Sequence, residues 1–237
     1  MSSKTLTIII PTYNEKKNIY NLIENILKII KIKKLQIVVV DDDSKDGTYL
    51  ELKKIKKKYK NFFYIVRKNK KRDLTKSVIL GFGKSKYHNI LVMDADFQHN
   101  PLDIIKLIKI FFSSKYDFVI GCRRFDQNLK KNLKLMRFYS SLIITYIFNL
   151  LLGYKTSDPM SGFFIFKKKI FLRNKKKLYG SGFKILTDLI YSEKNLKIKD
   201  IYINFDLRKY NKSKMNFKII SQIIILFFQK YYTKIFR

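Results

Sequence analysis

The stretch VVVDDDSKDGT, residues 38–48, runs three apolar β-formers straight into three carboxylates and a Ser-Lys-Asp-Gly-Thr turn. In an open parallel sheet, ligands bind beyond the carboxyl ends of the strands, so an apolar strand that ends in acids reads as part of such an edge. Acidic residues are scarce in this chain, 18 Asp and Glu against 51 Lys and Arg, and three in a row at a strand end are more than surface decoration.

Outward from that stretch the same alternation recurs. Short β-rich runs at 6–10 (LTIII), 36–40 (QIVVV), 62–66 (FFYIV), 89–93 (NILVM) and 117–121 (DFVIG) are separated by segments of helical periodicity at 15–32, 46–60, 74–86 and 101–114. Strands alternating with helices predict βαβ units and a mainly parallel α/β sheet flanked by helices. The fourth helix is expected to begin at Asn100-Pro101, a cap residue followed by Pro at the first helical position. Beyond residue 125 the pattern changes to a long uncharged segment at 138–154, a loop at 156–164 (TSDPMSGFF), a helix near 181–195, a strand at 197–205 and an aromatic, apolar tail.

A chain of 237 residues suits one α/β domain with at most a small appendage, and is long enough to bury a sizeable core. The single Cys122 excludes an internal disulfide and fits a reducing compartment. The N-terminal apolar stretch Leu6–Ile10 is too short for a secretory signal and runs into Pro11, so a cytoplasmic location is expected. A formal net charge of +33 fits a nucleic-acid partner, an anionic membrane surface or a coding bias toward Lys. Runs such as KKIKKKYK (53–60) lie at helical spacing and read as solvated helix faces. The nucleic-acid class is disfavoured: the acids lie at the ligand edge, where they repel phosphate unless a metal intervenes, and no helix-turn-helix, RRM or zinc pattern occurs.

Three strands end in polar clusters at that edge: PTYNE (11–15), DDDSKDG (41–47) and DADFQH (94–99). Asp94 and Asp96 are two apart at a strand end, so in extended backbone their carboxylates project to one side. Two hard oxygen ligands on one face, with positions left for water and phosphate, suit Mg²⁺ or Mn²⁺ bridging a diphosphate, and Gln98 would add a carbonyl oxygen. His99 is either a local hydrogen-bonding group or a ligand.

Taken in order, TIIIPTYNE, VVVDDDSKDGT, VMDADFQHNP, SDPMSGFF, FKIL and LRKYNKSKM resemble the inverting family 2 glycosyltransferases, in particular the polyprenol-phosphate (dolichol-phosphate-type) mannosyltransferase branch, over about residues 6–215. The resemblance implies a GT-A fold at 1–215, followed by an amphipathic, membrane-associating tail at 216–237. It implies transfer of a hexose, mannose favoured, from a nucleotide diphosphate sugar such as GDP-mannose to a polyprenyl phosphate, with Mg²⁺ or Mn²⁺ as cofactor. The alternative is a related transferase with a polysaccharide or other non-lipid acceptor.

Residue by residue, the resemblance makes Pro11, Tyr13 and Glu15 a nucleotide-contacting loop and Asp42 the acid that holds the nucleoside, whose N–H or hydroxyl donors need an acceptor. Asp94 and Asp96 then meet the donor diphosphate through the metal, and Asp96, Arg123, Arg137 and Arg208 are implied to be the catalytic residues. Arg123 and Arg137 fall near the acceptor phosphate, and Arg208, Ser213 and Lys214 in a loop that closes on diphosphate or acceptor. A planar guanidinium takes two phosphate oxygens together, so isolated Arg residues stand out in a Lys-dominated chain. Arg67, Arg72 and Lys76 resemble a basic sugar-nucleotide loop. Four positions depart from the pattern: Asp43 stands for a frequent Asn or Gly, Asn211 and Asp73 for Gly, and Asp188 for Glu. The role of Asp41 is left open between loop organisation and the site. A phosphate monoester has its second pKa near ~6, so the acceptor is an anion at neutral pH; no protein general base is expected, and in-line attack inverts the anomeric carbon.

Two apolar segments flank the Arg positions. In 138–154, Ser141, Thr145 and Asn149 are four apart and form one narrow polar stripe. In 217–236, apolar residues recur at 219, 220, 223, 224, 227, 228 and 231, with Lys218, Lys230 and Lys234 placed to meet anionic headgroups. Neither has the roughly 20 predominantly apolar residues of a span, which predicts peripheral binding at the cytoplasmic face of a membrane. The other readings are a buried core helix for 138–154, and packing on the domain or self-association for the tail.

Overall fold

The computed structural model describes residues 4–124, 135–204 and 217–235 and, of these, all side chains except those of 135–137 and 217–220. Each β-rich run is a strand: β1 Thr5–Thr12, β2 Lys34–Asp41, β3 Phe62–Val66, β4 Asn89–Val92, β5 Phe118–Arg123, and later β6 Phe164–Lys167 and β7 Ile198–Ile203. The helices are α1 Lys16–Ile29, α2 Thr48–Lys58, α3 Leu74–Lys84, α4 Asp103–Ser113, α5 Leu135–Leu152, α6 Lys168–Asn174, α7 Ile185–Ile190 and α8 Phe217–Ile235.

The strands form one seven-stranded sheet of order β3-β2-β1-β4-β6-β5-β7. All neighbours run parallel except β6, which lies antiparallel between β4 and β5. Strands buried on both faces explain the unbroken Ile and Val runs. Alternate residues serve the two layers. Ile8, Ile10, Ile37 and Val39 pack on one side with Ile19, Ile23, Leu52, Ile55 and Leu107 of α1, α2 and α4. Ile9, Val38, Val40 and Val92 pack on the other with Val78, Phe82, Phe171 and Leu189 of α3, α6 and α7. Gly81 lets α3 lie close on β1, since a Cβ there would stand 2.6 Å from Cγ2 of Ile9.

Three elements differ from the expectations. The fourth helix starts at Asp103 rather than Pro101, because Asn100 instead holds the preceding turn, its Oδ1 accepting from the Leu102 amide at 2.9 Å. The helix near 181–195 shortens to Ile185–Ile190. Part of the expected loop at 156–164 runs into β6, a strand of only four residues with no sequence signal of its own.

The C-terminal helix is joined to the domain. Phe148 and Leu152 of α5 form a small core with Ile223 of α8 and Met160, and the Phe148 and Phe227 rings meet edge to face at 5.3 Å. Lys230 corrects the expectation of three headgroup-facing lysines: it is buried, its Nζ 2.6 Å from Asp188 Oδ1 and donating to the Lys177 carbonyl and the Ser192 hydroxyl. Lys234 donates to the Leu151 carbonyl, and the Lys218 side chain lies outside the described residues. Among the described residues, no helix is long and apolar enough to cross a membrane.

Candidate active site

Because β1, β2, β4 and β5 run the same way, their carboxyl ends share one edge of the sheet. A cleft of about 190 Å³ opens there, and Pro11, Tyr13, Glu15, Asp42, Asp94 and Asp96 all line it, as the sequence predicts. Antiparallel β6 contributes from its other end: it starts where its parallel neighbours finish, which brings Met160, Ser161 and Gly162 to the same cleft.

The turn after β2 is built from its acids. Asp41 Oδ2 accepts from the Ser44 amide at 3.0 Å and its Oδ1 from the Ser44 hydroxyl, which settles Asp41 as the organiser of this loop. Asp43 has φ of +59°, the left-handed region where Asn and Gly are commonest, which explains its place in the turn. Asp46 accepts from the Lys16 amide at 3.0 Å and so ties the turn to the start of α1.

Asp42 faces the cleft. Its Oδ2 accepts from the Asp73 amide at 2.6 Å, and its Oδ1 pairs with the Arg67 guanidinium. Burial pushes the Asp42 carboxyl above the ordinary carboxylate value, and the Asp73 amide and Arg67 offset this only in part. Arg67 is therefore a support behind Asp42 and not a cleft residue, whereas Arg72 lines the cleft with its guanidinium 4.4 Å from the centre of the Tyr13 ring and 5.5 Å from that of Phe183. Lys76 is used through its amide, which donates to Asp73 Oδ1 at the start of α3.

Asp94 is partly open to the cleft, with 37% of its side chain exposed, while Asp96 is buried beside it. Phe97, at φ of +60°, turns the chain sharply, so that the Gln98 amide donates to Asp96 Oδ1 at 3.2 Å. Gln98 is buried and is not among the cleft-lining residues. Among the described residues, no group of three or more His, Cys, Asp and Glu has the geometry of a metal site. The two carboxylates nevertheless fit a divalent cation: both are hard oxygen donors lining one cavity, and the space against Asp94 is kept by Gly162, where a Cβ would stand 2.6 Å from Asp94 Oδ2. His99 is buried and stacked on Phe163 at 5.0 Å, and burial pushes its imidazole down to about 4, so at neutral pH it is an uncharged neighbour 3.9 Å from Asp94.

Arg123 differs most from its expected place. Its Nε donates to Asp158 Oδ2 at 2.7 Å and its Nη2 to Asp158 Oδ1 at 2.8 Å and to the Ser141 hydroxyl at 3.1 Å. It is buried and absent from the cleft lining, so sequence reasoning, which had no partner for it, missed the acid inside SDPMSGFF. Arg137 lies in the first turn of α5 with its side chain outside the described residues, as do Arg208, Asn211, Ser213 and Lys214 altogether. Sequence reasoning also missed Ser77, Phe183, Lys184, Ile185 and Ile223 as lining residues, although Phe183, Lys184 and Ile185 belong to the FKIL element.

The family model for glycosyl transferase family 2 matches residues 7–173. A dolichol-phosphate mannosyltransferase of Pyrococcus furiosus is 32% identical over 221 residues, 92% of this chain and 61% of that protein, so the chain spans under two thirds of its length. A protein of the same name from Saccharomyces cerevisiae is 31% identical over 232 residues, covering 92% of this chain and 84% of that one. A UDP-N-acetylglucosamine–dolichyl-phosphate N-acetylglucosaminyltransferase of Methanococcus voltae is 27% identical over 247 residues, 95% of this chain and 97% of that protein. Among solved structures, glucosyl-3-phosphoglycerate synthase of Mycobacterium tuberculosis, in complex with Mn²⁺, UDP-glucose and phosphoglyceric acid, superposes with a TM-score of 0.72 at 14% identity, covering 98% of this chain and 81% of that one. That likeness establishes the GT-A fold.

Proposed function

The chain belongs to glycosyl transferase family 2, and we propose that it transfers a hexose, mannose favoured, from a nucleoside diphosphate sugar to a polyprenyl phosphate at the cytoplasmic face of a membrane. The observation that carries this reading is the double use of α8. Ile223 lines the cleft, while Ile224, Ile225, Phe228 and Tyr232 on the same helix are exposed, beside exposed Tyr139, Ile143, Tyr146 and Leu150 on α5. A donor cleft bordered by a broad apolar face suits an acceptor whose phosphate is polar and whose chain stays in lipid.

In this reading the nucleoside sits over Pro11 and Tyr13, with Asp42 accepting from its N–H or hydroxyl donors. Asp94 and Asp96 hold Mg²⁺ or Mn²⁺. When bound, the cation supplies positive charge to the diphosphate as it departs. The chain's residues orient the donor so that a phosphate oxygen of the acceptor forms a bond to the anomeric carbon as the bond from that carbon to the diphosphate breaks. The nucleoside diphosphate leaves and an α-linked donor yields a β-linked product. The acceptor is already ionised, so no residue needs to remove a proton, and the protein acts by positioning and by matching charge. Arg137 and Arg208, with Ser213 and Lys214, are proposed to hold the acceptor phosphate, and Arg123 is proposed as a structural support that ties β5 to α5 through Ser141.

The test is an assay of purified protein with a short-chain polyprenyl phosphate and a panel of labelled GDP- and UDP-sugars, with the product anomer read by NMR. Transfer to the lipid phosphate with inversion is expected, with GDP-mannose the best donor. Transfer only to water-soluble acceptors, or retention of configuration, overturns the reading.

A further inference from the structure

In the segment 179–184, which ends at the cleft, the first four residues are held by two buried carboxylates. Asp188 on α7 accepts from the Tyr179 amide at 3.1 Å and the Gly180 amide at 2.9 Å, while its Oδ1 pairs with Lys230 of α8. Asp73, at the start of α3, accepts from the Gly182 amide at 3.0 Å and from the Ser181 hydroxyl, and the Thr75 amide returns a bond to the Gly182 carbonyl at 2.9 Å. Asp73 is the residue whose own amide donates to Asp42 in the cleft. The two residues that follow, Phe183 and Lys184, line the cleft.

We propose that segment 179–184 is a relay, and that Lys230 and Asp188 on its far side are positioning residues for the donor nucleotide, so that the seating of α8 sets nucleotide affinity. This rests on the cleft being a nucleotide site, as proposed above. Lys230 does not line the cleft, and Asp188 reaches it only through the backbone it holds. Both side chains of the pair are 2% exposed, so the contact is desolvated and the low local dielectric strengthens it. Coupling of this kind is reciprocal: what α8 does to the nucleotide, the nucleotide does to α8.

The experiment uses the full chain with MnCl₂ and, separately, GDP and UDP as probes. Calorimetry is run on wild type, Lys230→Met, Ser181→Ala and the double variant, with thermal unfolding recorded for each. Lys230 and Ser181 bond to different carboxylates, so independent sites would give additive changes in nucleotide affinity. The relay predicts a loss of about tenfold for Lys230→Met and a double variant no worse than the weaker single one, since either change releases the same segment. Additive losses, or unchanged affinity in a folded Lys230→Met protein, overturn it. Hydrogen exchange of the wild type gives a second reading that needs no variant to fold. Nucleotide is expected to slow exchange in 229–235 of α8, away from the cleft-lining Ile223, as well as in 179–184, and an unaltered 229–235 overturns the relay. A wild type that binds neither nucleotide sinks the nucleotide-site reading itself, and the relay with it.

Discussion

Asp158 grips Arg123 at two points, Nε to Oδ2 at 2.7 Å and Nη2 to Oδ1 at 2.8 Å, and adds a third bond from the Arg123 amide to Oδ2 at 3.2 Å. The pair joins the end of β5 to the chain that leads into β6, and through the Ser141 hydroxyl it reaches α5. Removing one member strands a buried charge, so Asp158→Ala is expected to cost about 3–5 kcal/mol in urea unfolding, and replacing both by apolar residues of similar volume is expected to recover most of it. Burial pushes the Asp158 carboxyl up, but Arg123 outweighs burial and holds it below the ordinary value. Its folded value is thus the depressed one. The pair's contribution is present above the unfolded carboxylate value of about 3.9 and is lost only as the pH falls through the lower folded value.

Gly162→Ala is a test of the cation site that leaves both carboxylates in place. The added methyl would stand 2.6 Å from Asp94 Oδ2, so Asp94 must rotate away. Transfer is expected to fall by at least tenfold with a matching rise in the Mn²⁺ concentration needed for half-maximal rate. Asp96→Ala is expected to remain inactive at saturating Mn²⁺ or Mg²⁺, and chelation to abolish wild-type transfer. A Gly162→Ala enzyme with normal metal dependence would count against the assignment.

With Asp42 as the proposed nucleoside acceptor, nucleotide binding is expected to have an acid limb. Burial raises its carboxyl above the ordinary value, so on acidification it takes up a proton earlier than an exposed Asp and ceases to be a full acceptor. Nucleotide affinity is expected to fall as the pH drops through that raised value, with Arg67, Arg72 and Asp73 as the charged groups around it. The sign for stability is opposite to that of Asp158: here the fold favours the neutral acid, and Asp42 is a cost to stability once ionised. Calorimetry of Asp42→Asn across the same pH range should give weak binding without this limb.

The exposed face of α5 and α8 should bind vesicles chiefly through apolar contact. Tyr146 and Phe228 are 63% and 62% exposed, and burying each in lipid contributes about 1.5–3 kcal/mol. Tyr146→Glu with Phe228→Glu is then expected to lower partition into anionic vesicles about 100-fold or more, while high salt, which screens the lysines, lowers it less. Sedimentation with vesicles of mixed neutral and anionic lipid measures both. Equal loss on adding salt to the wild type would make charge the driver.

The half of the cleft built by β1, β2 and β4 was legible because its signals are local. A strand period, a following turn and two acids spaced by two residues all lie within one stretch of chain, and Pro11, Tyr13, Glu15, Asp42, Asp94 and Asp96 meet in the cleft accordingly. The other half depends on contacts between distant residues. Four residues of β6 find their place only by pairing with β4 and β5, and nothing in FIFK announces an antiparallel strand. Arg123 reads as a phosphate ligand from its type, and only the fold supplies Asp158, 35 residues on. Lys230 likewise reads as a headgroup contact from its place on an amphipathic helix, until Asp188 is seen beneath it.

The cleft also has an order of manufacture. Its base, Pro11 to Asp96, is translated first and belongs to neighbouring parallel strands, whereas Gly162 arrives with β6 and Ile223 only with α8. In chain order 127 residues separate Asp96 from Ile223, so the edge that carries the acids is synthesised well before the apolar residue of α8 that faces it. The helix that carries Ile223 thus follows, in chain order, every strand of the sheet on which it is seated.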